Sequence, residues 1–154
     1  MIKKILTDLL KKREFISIAS CDFEFRPNVA PKFLLKIEDN FIYLIDYVVG
    51  RTYENLKVNP KVSLSVMDVD MLKGYQINGN VEIIEQGALY EELLNELKNK
   101  EISLATERII KGVQLGKKHE SFEVAAPERI SVFKVKIEEI VEIDSSGRLQ
   151  RERF

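Results

Sequence analysis

Period-two alternation constrains this chain more than any other feature. Val62, Leu64 and Val66 alternate with Ser63, Ser65 and Met67, and Tyr75, Ile77, Val81 and Ile83 alternate with mostly polar residues. A long run of β-branched residues alternates with charge from Ile130 through Ile143. Such spacing lines up the apolar side chains of each run on one face of a strand, and each of those faces must be buried. Phe15–Cys21 reads as another strand, followed by a turn over Asp22–Pro27 and a strand to about Ile37. After a turn at Glu38-Asp39-Asn40, the run Phe41–Tyr47 is apolar on both faces. That suits a barrel wall with core on one side and a partner or ligand on the other. Six strands are therefore predicted, and Gly79 inside the fifth predicts a bulge or sharp bend.

Helical spacing is sparser. Ile2, Ile5, Leu6, Leu9 and Leu10 predict an amphipathic helix over the first dozen residues. Arg51–Val58 reads as a short helix stopped by Asn59-Pro60, because proline disfavours helical geometry in the residue before it. Leu89, Leu93, Leu94 and Leu97 predict a helix after Gln86-Gly87, and a separate one is expected from Ser103 to about Lys111, ending near Gly112. Residues 112–127 carry no readable pattern, and Gly147–Phe154 has no periodicity. The expected organisation is one domain over 1–143 followed by a mobile tail over 144–154.

Composition narrows the function classes. The 154 residues carry 24 Lys plus Arg against 25 Asp plus Glu, so no general attraction to nucleic acid or an anionic membrane follows. Asp8 and Lys11-Lys12-Arg13 interrupt what would have to be a signal-peptide core, and no apolar run reaches membrane-spanning length. Cys21 is the single cysteine, which excludes an internal disulfide and fits a reducing cytoplasm, the expected location.

The chemically informative stretch is Asp46-Tyr47-Val48-Val49-Gly50-Arg51-Thr52-Tyr53-Glu54-Asn55-Leu56, followed by Asn59-Pro60-Lys61-Val62-Ser63-Leu64. A strand ends, glycine permits a tight turn, and a helix opens with arginine and threonine where backbone N–H groups and the helix dipole favour an anion. Arg51 can fork onto phosphate oxygens and Thr52 can add a hydroxyl. The bland alternative is that Thr52 caps the helix and Arg51 is a solvated surface charge.

The order of these residues resembles the pyridoxamine 5′-phosphate oxidase-like flavin family, with its Gly/Ser-Arg/Lys-Lys/Thr step before a short helix and then Asn-Pro-Arg/Lys-Val-Ser-Leu. Upstream, Arg26-Pro27-Asn28-Val29-Ala30-Pro31-Lys32-Phe33 is similar to the family's second strand; downstream, Gly74-Tyr75-Gln76-Ile77-Asn78-Gly79-Asn80-Val81-Glu82 is similar to its strand ending in Gly-x-Ala/Val-Glu. The resemblance covers roughly residues 10–143. It implies a mainly β fold with flanking helices, a six-stranded antiparallel split β-barrel holding FMN at the interface of a homodimer. It places Arg51 and Thr52 on the FMN phosphate, Ala30, Pro31 and Lys32 near the ribityl chain or ring, and Ile45, Asp46 and Tyr47 on the same wall. Gly74 or Gln76 would reach the cofactor from the partner subunit. The full oxidases end in Arg-Leu-x-Pro. Here Arg148-Leu149-Gln150-Arg151 lacks that proline, so pyridoxamine phosphate oxidation itself is not implied. The extra Val48-Val49 before Gly50 matches the small FMN-binding members better.

No residue stands out as acid, base or nucleophile. His119 is the sole histidine, among Lys117, Lys118, Glu120 and Ser121, so no His-based metal cluster is expected; it reads as a solvated or partner-facing residue, with an axial haem ligand as the alternative. Lys111, Lys117 and Lys118 read as part of a solvated loop. Cys21 reads as a buried spectator. Tyr43, Tyr47, Tyr53 and Tyr75 could stack on a flavin but suit barrel core better. The leading expectation is an FMN-dependent oxidoreductase with NAD(P)H as a possible reductant. The alternatives are flavin storage or sensing, and a haem or deazaflavin (F420) binder on the same barrel.

Overall fold

The computed structural model describes residues 2–116 and 129–154. In chain order these form α1 (Ile2–Leu10), β1 (Phe15–Cys21), β2 (Pro27–Glu38), β3 (Phe41–Asp46), α2 (Arg51–Val58), β4 (Lys61–Asp68), β5 (Lys73–Ile84), α3 (Ala88–Gln114), β6 (Ser131–Ile143) and β7 (Leu149–Arg153). Two compact units result: residues 1–84 with 129–154, and residues 85–128, whose described element is α3.

In the first unit every pairing is antiparallel and the sheet runs β3-β2-β1-β4-β5-β6-β7. A further pairing of β3 with β6 closes the first six strands into the expected barrel. β6 is the shared stave. β5 lies along one of its edges from Val132 to Ile143, while the other edge is divided between β3 at Ser131–Lys136 and β7 at Glu139–Ile143.

Alternation decides which side chains fill the barrel. Ile16 and Ile18 of β1, Leu34 of β2, Ile42 and Leu44 of β3, Leu64 of β4, Ile77 of β5 and Phe133 of β6 belong to one buried cluster. Leu6, Leu9 and Leu10 of α1 and Tyr53 and Leu56 of α2 join that cluster. The amphipathic face of each helix therefore closes barrel surface that water would otherwise reach. The expected bulge is present where the β5–β6 register shifts between Asn78 and Gly79.

Three sequence expectations are corrected. The two helices expected between Leu89 and Lys111 are one helix, α3, because Lys98-Asn99-Lys100-Glu101-Ile102 breaks the apolar spacing without supplying a glycine or proline to stop the backbone. The aperiodic C-terminus is not a free tail: β7 pairs with β6, and Arg151 and Arg153 both reach the Glu139 carboxylate, at 3.1 and 3.2 Å. The turn into β7 is tied by Asp144, which accepts from the backbone N–H groups of Ser146 and Arg148 at 2.9 and 3.0 Å. Together with the Ser146 hydroxyl, these bonds hold its carboxyl down to about 2. Finally, β3 ends at Asp46, leaving Tyr47 in the bend that follows.

Tyr43, Tyr53 and Tyr75 are buried, as core residues. The Tyr75 hydroxyl is buried beside the Glu142 carboxylate. Burial, then the Glu142 and Asp68 carboxylates, push its phenol up to about 12 from 10.0. The folded chain thus keeps a proton that the unfolded chain releases near 10.0, so stability is intact below that pH and falls as pH rises towards about 12. In an ultraviolet titration, Tyr75 should ionise late, together with unfolding. Ionisation of Tyr75 near the ordinary value in a still-folded protein would contradict this.

Candidate functional site

The residues singled out from sequence divide between two faces of the barrel wall. Asn28, Ala30 and Lys32 share the inward face of β2 with Leu34, and Asp46 shares the inward face of β3 with Ile42 and Leu44. Pro31, Ile45, Gly74 and Gln76 face outward instead, as the register rows Ser17–Pro31, Phe33–Ile45 and Ser65–Gln76 require. Gly74 and Gln76 are on β5, separated from β2 by β1 and β4, and do not join Arg51 or Thr52 within one chain.

The inward group converges on α2. Gly50 precedes the helix at φ −132° and ψ −157°, extended backbone open to any residue, and a Cβ there would meet nothing closer than 3.8 Å. Left-handed freedom is therefore not why glycine stands in this turn. The first intrahelical bond runs from the Glu54 N–H to the Gly50 carbonyl at 3.1 Å, so the Arg51 and Thr52 N–H groups precede the helical ladder. Arg51 is exposed, and no ion pair to a described residue holds its guanidinium. Glu54, the one acidic residue of this turn, is exposed as well.

Thr52 does not cap the helix. It is only 3% exposed, and its Oγ1 accepts a hydrogen bond from the Asn28 side-chain amide at 3.0 Å. One turn on, the buried Asn55 amide donates to Ser20 Oγ of β1 at 3.1 Å, and Ser20 is the register partner of Asn28. Just before β6, Arg129 donates to the Tyr53 hydroxyl at 3.3 Å and lies 5.6 Å from that ring's centre. α2 is thus held by polar bonds from β1, β2 and the approach to β6. Sequence reading missed Asn28, Asn55 and Arg129. Their only signal was a polar residue at an inward strand position (Asn28), on the buried side of a short helix (Asn55) or just before a strand (Arg129), which does not name its partner.

Lys32 and Asp46 form an ion pair inside the wall. Asp46 is fully buried, and its second oxygen, Oδ2, has no partner among the described residues. A half-satisfied carboxylate at that depth is costly unless something else donates to it. Phe33 lies on the outward face in register with Phe15 and Ile45, and its ring meets Phe15 at 5.8 Å and Tyr47 at 6.0 Å, both edge-on. Cys21 is half-buried at the end of β1. His119, Lys117 and Lys118 lie outside the described residues. Among the described residues, no group of His, Cys, Asp and Glu is placed to hold a metal ion, and no helix is long and apolar enough to cross a membrane.

The family model for pyridoxamine 5′-phosphate oxidase matches residues 2–144, nearly the whole chain. This chain belongs to that family. Among solved structures, HupZ of Group A Streptococcus is similar at 23% identity and a TM-score of 0.65, covering 94% of this chain and 96% of HupZ. A pyridoxamine 5′-phosphate oxidase-related, FMN-binding protein of Nostoc punctiforme is similar at 11% identity and a TM-score of 0.58, covering 99% and 94%. An F420 reductase matches at 18% identity and a TM-score of 0.55, covering 86% and 94%. At these identities the likenesses establish the fold. No curated protein sequence matches the chain.

Proposed function

We propose that this member of the pyridoxamine 5′-phosphate oxidase family binds FMN with the phosphate on the first turn of α2, and works as an FMN-dependent oxidoreductase. The observation that carries this is the donor set of that turn. The Arg51 guanidinium, the N–H groups of Arg51 and Thr52, and the Thr52 hydroxyl are all hydrogen-bond donors, with no described carboxylate bonded to any of them. A phosphomonoester supplies only acceptors and negative charge, so it fits this set as a cation or a neutral carbonyl compound does not. Asp46 Oδ2 adds an orphan acceptor on the same wall, suited to a hydroxyl or imide donor of the same ligand.

Bound flavin would supply the electron or hydride chemistry, with NAD(P)H as the reductant, and no protein nucleophile is needed for it. What the chain contributes is placement: Arg51 and Thr52 for phosphate, and the inward residues Ala30, Lys32 and Asp46 for the remainder of the ligand. F420 carries its own phosphate and is the second candidate, favoured by the likeness to an F420 reductase.

The working unit in this proposal is a homodimer. The both-sided apolarity of β3 does not argue for it, since Tyr43 and Ile45 on its outer face are already 5% and 1% exposed in the single chain. The support comes from another surface. Across β2-β1-β4-β5 the outward rows hold Pro31, Ser17, Ser65 and Gln76, flanked by Val29 and Met67, without a charged side chain, although charged residues make up 32% of the sequence. A face of that kind, 67% exposed at Val29 and 55% at Met67, suits a second copy better than water. It also carries Gly74 and Gln76, which could then meet the partner's cofactor. The test is gel filtration with visible absorbance recorded across the peak. Twin flavin bands travelling at dimer mass, and bleaching anaerobically with NADPH, are expected. A monomer that retains flavin would sink the interface site, and a haem band or an unloadable colourless protein would sink the ligand.

A further inference from the structure

Resting on the FMN reading above, we propose that Asn28 is a positioning residue of the phosphate site, fixing the polarity of the Thr52 hydroxyl so that its proton is kept for the ligand. A hydroxyl has one proton to give and two lone pairs to receive with, and which role it plays towards a neighbour depends on that neighbour. The amide nitrogen of Asn28 can only donate, and at 3.0 Å it fills a lone pair of Thr52 Oγ1. The Thr52 proton is thereby directed away from Asn28, and no described residue accepts it. Thr52 is 3% exposed, so little solvent competes with a ligand on this turn for that proton.

The surroundings hold this arrangement in place. Asn28 sits on β2 opposite Ser20 of β1, and Ser20 receives the Asn55 amide at 3.1 Å, so the same pair of strands grips α2 at its second and fifth residues. The hydroxyl therefore has little freedom to slide out of register with Asn28. Its proton joins the Arg51 and Thr52 N–H groups, which precede the helical ladder, as a third donor on one turn. Asparagine and aspartate have nearly the same shape but opposite effects here. A carboxylate can only accept, so aspartate at this position would take the Thr52 proton for itself and add negative charge beside the phosphate.

The experiment is a comparison of FMN and riboflavin affinities, by flavin fluorescence quenching, for the full chain and its variants. Asn28→Ala is expected to weaken FMN about tenfold and Asn28→Asp about a hundredfold, with riboflavin changed by no more than about twofold in either. In a Thr52→Val background, which lacks the hydroxyl, Asn28→Ala should have almost no further effect on FMN. Equal losses for the two flavins, or losses that add fully in the double variant, would overturn the role of Asn28. Partial unfolding lowers the amplitude for both ligands without altering the ratio of their dissociation constants, so a structural defect is separable. A parent chain that binds FMN no better than riboflavin would overturn the phosphate reading and this inference with it. A discriminating parent whose Asn28 variants discriminate equally well would overturn this inference alone.

Discussion

Gly79→Ala should destabilise the chain by about 3 kcal/mol or more and lower its thermal midpoint by about 10 °C. An alanine Cβ at this position would stand 2.1 Å from the Lys136 carbonyl oxygen, 3.1 Å from its carbonyl carbon and 3.3 Å from Val135 Cγ1. The first two are backbone atoms of β6, which is fixed by β5 on one edge and by β3 on the other, so neither can retreat without opening a ladder. Gly79 lies at the bulge, where the two strands come together more closely than side chains allow. Gly50→Ala is the matched control. Its Cβ would meet only ordinary contacts, and its backbone is extended, so a change within about 0.5 kcal/mol is expected. Calorimetry of both variants checks the pair; comparable midpoints would show that β5 and β6 are not pressed together at the bulge.

Arg51→Ala should weaken FMN by about 1.5–3 kcal/mol, roughly ten- to a hundredfold, while leaving riboflavin almost unchanged. The guanidinium is exposed and bonds to no described carboxylate, so its removal breaks no internal pairing that would spread the effect to the rest of the fold. What is lost is a forked, charge-assisted contact available only to the phosphorylated ligand. Arg51→Lys should fall between the two, because an ammonium keeps the charge but not the fork. Titration of the three proteins with both flavins checks this, and equal weakening of riboflavin would remove Arg51 from the phosphate.

What could be read beforehand follows from which forces act locally. β1, β2, β4 and β5 were legible because one face is mostly buried and burial leaves its period in the sequence, whereas β3, buried on both faces, was legible as a continuous apolar run. β7 left no such trace: its residues are Leu149-Gln150-Arg151-Glu152-Arg153, mostly exposed, and it is held by the β6 edge and by Glu139. The start of α2 was legible because a strand, a glycine and an arginine-threonine step lie consecutively. Asn28 with Thr52 and Lys32 with Asp46 were not, since each pair is created by register between distant segments. Register also explains the division of the candidate list: Ala30 and Lys32 face inward while Pro31 between them faces outward.

The shared stave β6 has a consequence for how the chain is made. During synthesis, β1 to β5 can assemble as soon as Ile84 has left the ribosome, but β3 and β5 then each present an open edge, and both wait for residues 131–143. The nascent protein must therefore pass through α3 and the segment beyond it as an unclosed sheet whose interior leucines and isoleucines are partly wet. That is the interval in which two ribosome-bound copies could join edge to edge. Slowing translation between Ile84 and Ser131 would lengthen this exposure without changing any residue, and the yield of soluble protein would fall although the finished fold stayed the same.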